Sequence, residues 1–144
     1  MKHILLVTFL FIGHALCAEN LPIVKKAFED MQSKFTLFDA TGVEYYSDKA
    51  VIENTRTYPN GKNRTLTMEG VKYKKLLKMV MPLAKKKGDK SIYKEVTYVK
   101  KDGLIIVKAK RWSVLKKYET PYEAHFRVID GSATIIKEIS QSKP

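Results

Sequence analysis

The second half of the chain constrains the fold more than any other feature. Beyond Asp89 it is a succession of runs, "SIYKEVTYVKK", "LIIVKAKRWSVLKK", "TPYEAHFRVI" and "ATIIKEIS". Asp102-Gly103 and Asp130-Gly131-Ser132 punctuate them. β-Branched and aromatic residues fit a pleated surface, and Asp-Gly supplies the positive φ that a tight hairpin needs. Turns at this spacing predict an antiparallel meander. A meander buries one face, so the first half must supply what covers it.

That half reads as helices around a hairpin. Asn20 can cap a helix with Pro22 in its first turn, and Val24, Ala27, Phe28, Met31 and Phe35 recur at three- and four-residue steps. This predicts an amphipathic helix of about fourteen residues. A second, shorter helix is expected from Asp39 to Tyr46, weakened by Gly42. The strand "DKAVIENTRTY" follows, with Asn60-Gly61 as a two-residue hairpin signal and "NRTLTM" as the return strand. Asn63-Arg64-Thr65 is also a glycosylation sequon, meaningful in a eukaryotic source. A third helix is expected over Gly70–Met81, ended by Pro82, with "AKKKGDK" as a loop. The fold class is therefore α+β: three helices packed on one face of a curved, mostly antiparallel sheet.

Residues 1–17 read as a signal peptide, with Lys2 before an apolar run that is too short to span a bilayer. Residues 18–144 then form one domain. Leu16 is bulky where a lipoprotein signal has a small residue, so lipidation at Cys17 is disfavoured. Cys17 is the only cysteine and His125 the only histidine beyond the first twenty residues. Neither a disulfide framework, nor a thiolate or His-rich metal site, nor a cysteine nucleophile follows from that composition. No metal and no cofactor are expected. A one-lysine signal before a cysteine-free chain favours a bacterial source, and hence the periplasm or the medium.

The formal charge is +12, concentrated at residues 72–78, 85–90 and 108–117. Such a surface attracts anionic lipid or an acidic protein. Lysine far outnumbers arginine, the residue suited to bidentate phosphate recognition, so specific nucleic-acid binding is disfavoured.

Two local patterns, "YYSDKAVIEN" (45–54) and "EAHFRVIDG" (123–131), resemble the nuclear transport factor 2-like superfamily. The first is similar to its helix end, acidic turn and first strand, and the second to its late strand and hairpin. Gly70 in "MEGVKY" stands where that family opens its third helix. The small-molecule branch includes the SnoaL-like cyclases, ketosteroid isomerase and scytalone dehydratase. The resemblance implies a cone enclosing an apolar cavity. In the isomerases a general-base aspartate would fall on Asn54, a tyrosine near Phe28 and a protonated acid on Ala124. None of the three is retained, which argues against that chemistry. A one-residue slip would bring Glu53 to the base position. A cystatin-like roll is the neighbouring architecture, but the cystatin inhibitory loop is missing.

Strand alternation sends Tyr122, Ala124, Phe126 and Val128 to the interior, and Glu123, His125 and Arg127 outward. Asp48 reads as a local cap or Asx-turn. The weak catalytic candidates are Asp48, Glu53 and His125. Ligand-binding candidates are Phe28, Asn54, Tyr98, Trp112, Tyr122, Ala124 and Phe126, with Tyr45, Tyr46, Tyr73 and Tyr118 as further amphipathic rings. The expected function is an exported, non-catalytic binding or accessory protein for a small hydrophobic ligand. The alternatives are a SnoaL-like cyclase, dehydratase or hydrolase, and a basic protein for membranes or an acidic partner. A homodimer through the outer sheet face is a further expectation.

Overall fold

A computed structural model describes residues 12–144. Helix α1 (Ile12–Thr36) leads through a 3-10 turn (Ala40–Tyr45) into β1 (Tyr46–Thr57), beside which β2 (Asn63–Glu69) returns. Helix α2 (Gly70–Lys87) follows directly. The rest is β3 (Ser91–Lys101), β4 (Leu104–Ser113), β5 (Tyr118–Ile129) and β6 (Ser132–Ser142). The strands form one sheet in the order β2-β1-β6-β5-β4-β3, with the three helical segments packed against it. This is the α+β layer architecture expected.

The meander is antiparallel from β3 to β6, but β6 lies parallel to β1. The sheet is mixed because α2 carries the chain from the β2 edge to the opposite edge. Four strands then walk back and finish beside β1. Both Asp-Gly turns have two left-handed residues, Asp102 (φ 52) with Gly103 (φ 73) and Asp130 (φ 51) with Gly131 (φ 74). That is the type I′ geometry whose twist matches the strands it joins.

Several boundaries differ from expectation for local reasons. Asn60-Gly61 is not a two-residue turn: the connection spans Tyr58–Lys62, and within it only Gly61 (φ 79) is left-handed. Asn60 Oδ1 instead accepts a bond from the Lys62 N–H at 3.0 Å and closes a wider loop. The second helix is a 3-10 turn capped by Asp39, whose Oδ1 accepts from the Thr41 N–H at 2.9 Å. α1 is 25 residues long, with Pro22 inside it rather than in its first turn. Residues 1–11 of the expected signal lie outside the described residues. Pro82 does not end α2, which runs on to Lys87. The stop is Gly88 (φ 65), whose N–H donates to the Lys85 carbonyl at 3.2 Å, after three lysines that suit the negative end of the helix dipole. β4 ends at Ser113, and a turn to Lys117 (φ 55) replaces the rest of the expected strand.

Val24, Phe28 and Met31 of α1 pack onto Ile52, Val107, Ala124, Phe126 and Ile135 of the sheet, forming one core. A β-bulge interrupts β6: His125 opposes Lys137 while the next residue, Phe126, opposes Ile135. Ile136 is thus the extra residue, and alternation changes phase across it. Ile135 faces the core, and beyond the bulge Glu138 and Ser140 do so as well.

Candidate functional site

The bulge brings a carboxylate into the core. Glu138 is 2% exposed and sits directly across the strand pair from Ala124. Three phenols from three elements converge on it. Tyr46 at the start of β1 and Tyr122 of β5 donate to Oε2, the latter at 2.9 Å, and Tyr73 of α2 donates to Oε1 at 3.1 Å. The Tyr46 and Tyr73 rings meet edge to face at 5.2 Å, and Tyr93 meets Tyr122 likewise at 4.7 Å. Burial raises the Glu138 pKa, while the Tyr46 and Tyr122 hydrogen bonds and the Arg111 charge oppose that shift. Burial, followed by the nearby Glu138 charge, holds Tyr46, Tyr73 and Tyr122 neutral far above the ordinary phenol range.

Chemically this cluster has an acid and several hydroxyls, with the carboxylate itself buried. Glu138, Tyr46 and Tyr122 are all 3% exposed or less, and each hydroxyl is committed to the carboxylate. It is a satisfied buried polar network, of the kind that specifies a core.

Open space lies farther along the same face. A cleft of about 230 Å³ forms where β1, β4 and β6 end and β3 and β5 begin. Arg56, Arg111, Lys116 and Lys143 contribute its positive charge, and Ser91, Ser113, Ser142 and Tyr118 its hydroxyls. Asp89 is the acidic residue on its wall. Among the described residues, none of those four cations has a carboxylate within 4.0 Å. Arg111 is anchored from behind by donating to the Gln141 carbonyl. Burial disfavours its charge, yet Tyr93, Glu138 and Tyr73 outweigh burial and raise its pKa. Arg56 lies over the Tyr58 ring at 5.4 Å, and Lys143 over Tyr118 at 5.9 Å.

The candidates named from the sequence distribute unevenly. Phe28, Ala124 and Phe126 are 0% exposed and Tyr122 nearly so, with Phe28 stacked 6.1 Å from Tyr122 and edge-on to Phe126 at 6.3 Å. Those four side chains belong to the core cluster. Asn54 does face inward, but its Nδ2 donates to Ser140 Oγ and its Oδ1 accepts from Ser142 Oγ, both at 2.9 Å. Its amide is spent on tying β1 to β6. Tyr98 is half-buried under Lys25, whose ammonium lies 5.3 Å from the ring. Trp112 alternates to the outer side beside Arg111 and stacks under Lys94 at 5.2 Å.

The acid–base candidates lie outside the core. Asp48 pairs with Lys74 at 3.0 Å on the surface, and Glu53 pairs with Lys137 at 3.3 Å. His125 Nε2 is 2.5 Å from Glu123 Oε1, on the outward side that alternation assigns it. Neither Glu138 nor Arg111 stands out by motif or strict alternation in the sequence. The available signal was the Ile135-Ile136 doublet, which breaks strict alternation ahead of Glu138.

Neither a family model nor a curated protein matches the chain. Solved structures do. A nuclear transport factor 2-like protein of unknown function from Pseudomonas putida superposes with a TM-score of 0.64 at 12% identity, over 85% of each chain. One from Shewanella oneidensis gives 0.61 at 12% identity, over 84% of this chain and 98% of its own. Another, from Novosphingobium aromaticivorans and described as having a cystatin-like fold, gives 0.60 at 7% identity, over 88% and 84%. At such identities the likeness is one of fold. The chain has the nuclear transport factor 2-like fold, as the resemblance of its first and late strands implies.

Proposed function

We propose that this is an exported, non-catalytic binding protein that holds a small molecule by an anionic group in the cleft at the strand ends. The observation that carries the reading is the set of four cations around that cleft with no carboxylate partner. Arg111 already feels the Glu138 charge, whereas Arg56, Lys116 and Lys143 have no carboxylate within 4.0 Å among the described residues, and a carboxylate or phosphate ligand would supply their counter-charge. The sealing of Glu138 among its phenols supports a binding role over acid–base catalysis. The apolar leader supports export. An apolar part of the ligand would lie against Tyr118 and the ring of Tyr58 beneath Arg56.

The test is a thermal-shift and calorimetric comparison of phenyl phosphate and benzoate with neutral benzyl alcohol. The anions are expected to raise the unfolding midpoint and the alcohol to leave it unchanged. Arg56→Gln with Lys116→Gln, both at exposed side chains, should lower anion affinity at least about tenfold. Equal binding of the neutral alcohol, or anion binding that survives both substitutions, would refute this reading.

A further inference from the structure

Helix α2 presents a second surface, which the cleft does not use. Leu76, Met79, Val80 and Leu83 recur at i, i+3, i+4 and i+7, yet they point away from the sheet, with Met79 71% and Leu83 53% exposed. The side facing the body is occupied by Tyr73 and Leu77. A helix whose apolar residues already cover a core does not need a second apolar stripe in water. The helix also contains seven lysines and no acidic residue.

Those lysines divide by position. Lys74 and Lys78 turn toward the body and pair with Glu44 and Asp48 at 3.0–3.5 Å. Lys72, Lys75, Lys86 and Lys87 flank the exposed stripe, and among the described residues no carboxylate lies within 4.0 Å of them. An apolar ridge bordered by free ammonium groups matches a surface that is negative at the headgroup and oily just beneath it. A second copy fits poorly, because stripe-to-stripe pairing would set lysine against lysine. The ridge is convex and offers no groove to a partner helix.

We infer that α2 lies on anionic phospholipid, with Leu76, Met79, Val80 and Leu83 entering the acyl boundary and the flanking lysines on the headgroups. Among the described residues no helix is long and apolar enough to cross a membrane. The inferred contact is with the bilayer surface. It is independent of the cleft.

The experiment is co-sedimentation of the full chain with phosphatidylcholine vesicles, with and without phosphatidylserine, at low and high salt. Met79→Ser with Leu83→Ser tests the ridge, and Lys75→Gln with Lys86→Gln and Lys87→Gln tests the charge. All five side chains are exposed, and an unchanged unfolding midpoint checks that each variant folds. Binding should require phosphatidylserine and weaken with salt. The triple lysine variant should lose on the order of a hundredfold, and the double variant should lose most of the binding. Because every variant keeps the apolar leader, equal binding by wild type and variants would place the contact elsewhere and overturn the inference. So would an absence of vesicle binding together with a dimer that Met79→Ser and Leu83→Ser dissociate. Binding to polyglutamate in place of vesicles would assign the surface to an acidic protein instead.

Discussion

Glu138 is the residue on which the interior turns. Three phenol donors depend on one carboxyl, so Glu138→Ala would leave buried hydroxyls without an acceptor, at a cost of about 3–5 kcal/mol by chemical denaturation. Glu138→Gln keeps an acceptor and should cost less. It should also change the pH profile. In the unfolded chain this carboxyl ionises in the ordinary glutamate range, whereas burial delays ionisation in the fold. Between those two values the native state keeps a proton that the unfolded state has lost, so stability falls as pH rises through the window. Below the ordinary glutamate range the contribution is complete. Urea midpoints from about pH 4 to about pH 8 should therefore decline more steeply for the wild type than for Glu138→Gln. Identical slopes would mean that Glu138 titrates normally. Its cross-strand neighbour is Ala124, so the buried acid of this core sits on β6 and not on β5. Sequence alternation could not find it, because a single bulged residue decides which way Glu138 faces.

Among the elements, the junction of β2 and α2 is the most tightly specified. A Cβ on Gly70 would stand 1.9 Å from the Ser47 carbonyl oxygen and 3.0 Å from the Ala50 Cβ. In an exposed helix, replacing Gly with Ala adds up to about 1 kcal/mol of stability. Here the sign should reverse, with Gly70→Ala destabilising by about 2–4 kcal/mol because the opposing atom is backbone. Thermal or urea unfolding measures this, and a neutral result would mean that α2 can shift away from β1. Gly70 was legible in the sequence as the residue that opens the helix. The Asp-Gly turns were legible too, since their chemistry is local. The ends of α1 and α2 were not, because Pro22 and Pro82 are ordinary helix breakers that here lie within long helices. In β6 the run from Ala133 to Ser140 reads as a strand in the sequence, and the structure extends it to Ser132–Ser142 and sets its phase by the bulge at Ile136.

Taken whole, the molecule carries a large positive charge on a frame that a single cysteine cannot cross-link internally. Its stability rests on packing against self-repulsion, which salt screens. The unfolding midpoint should rise by a few degrees when sodium chloride goes from very low to about 0.15 M. A fall would show that the surface ion pairs, such as Lys110 with Glu95 at 2.8 Å, outweigh the repulsion. The order of helices and strands, the fold they build, the presence of turns at Asp102-Gly103 and Asp130-Gly131, and the outward position of His125 follow from the sequence alone. Each depends on local periodicity or turn chemistry, which neighbouring residues carry. Tertiary structure decided the parallel seam between β1 and β6 and the gathering of Arg56, Arg111, Lys116 and Lys143 around one cleft. It also decided the inward turn of Glu138. These depend on how distant strands register and on one bulge at Ile136, and no local pattern records where the ends of five strands will meet.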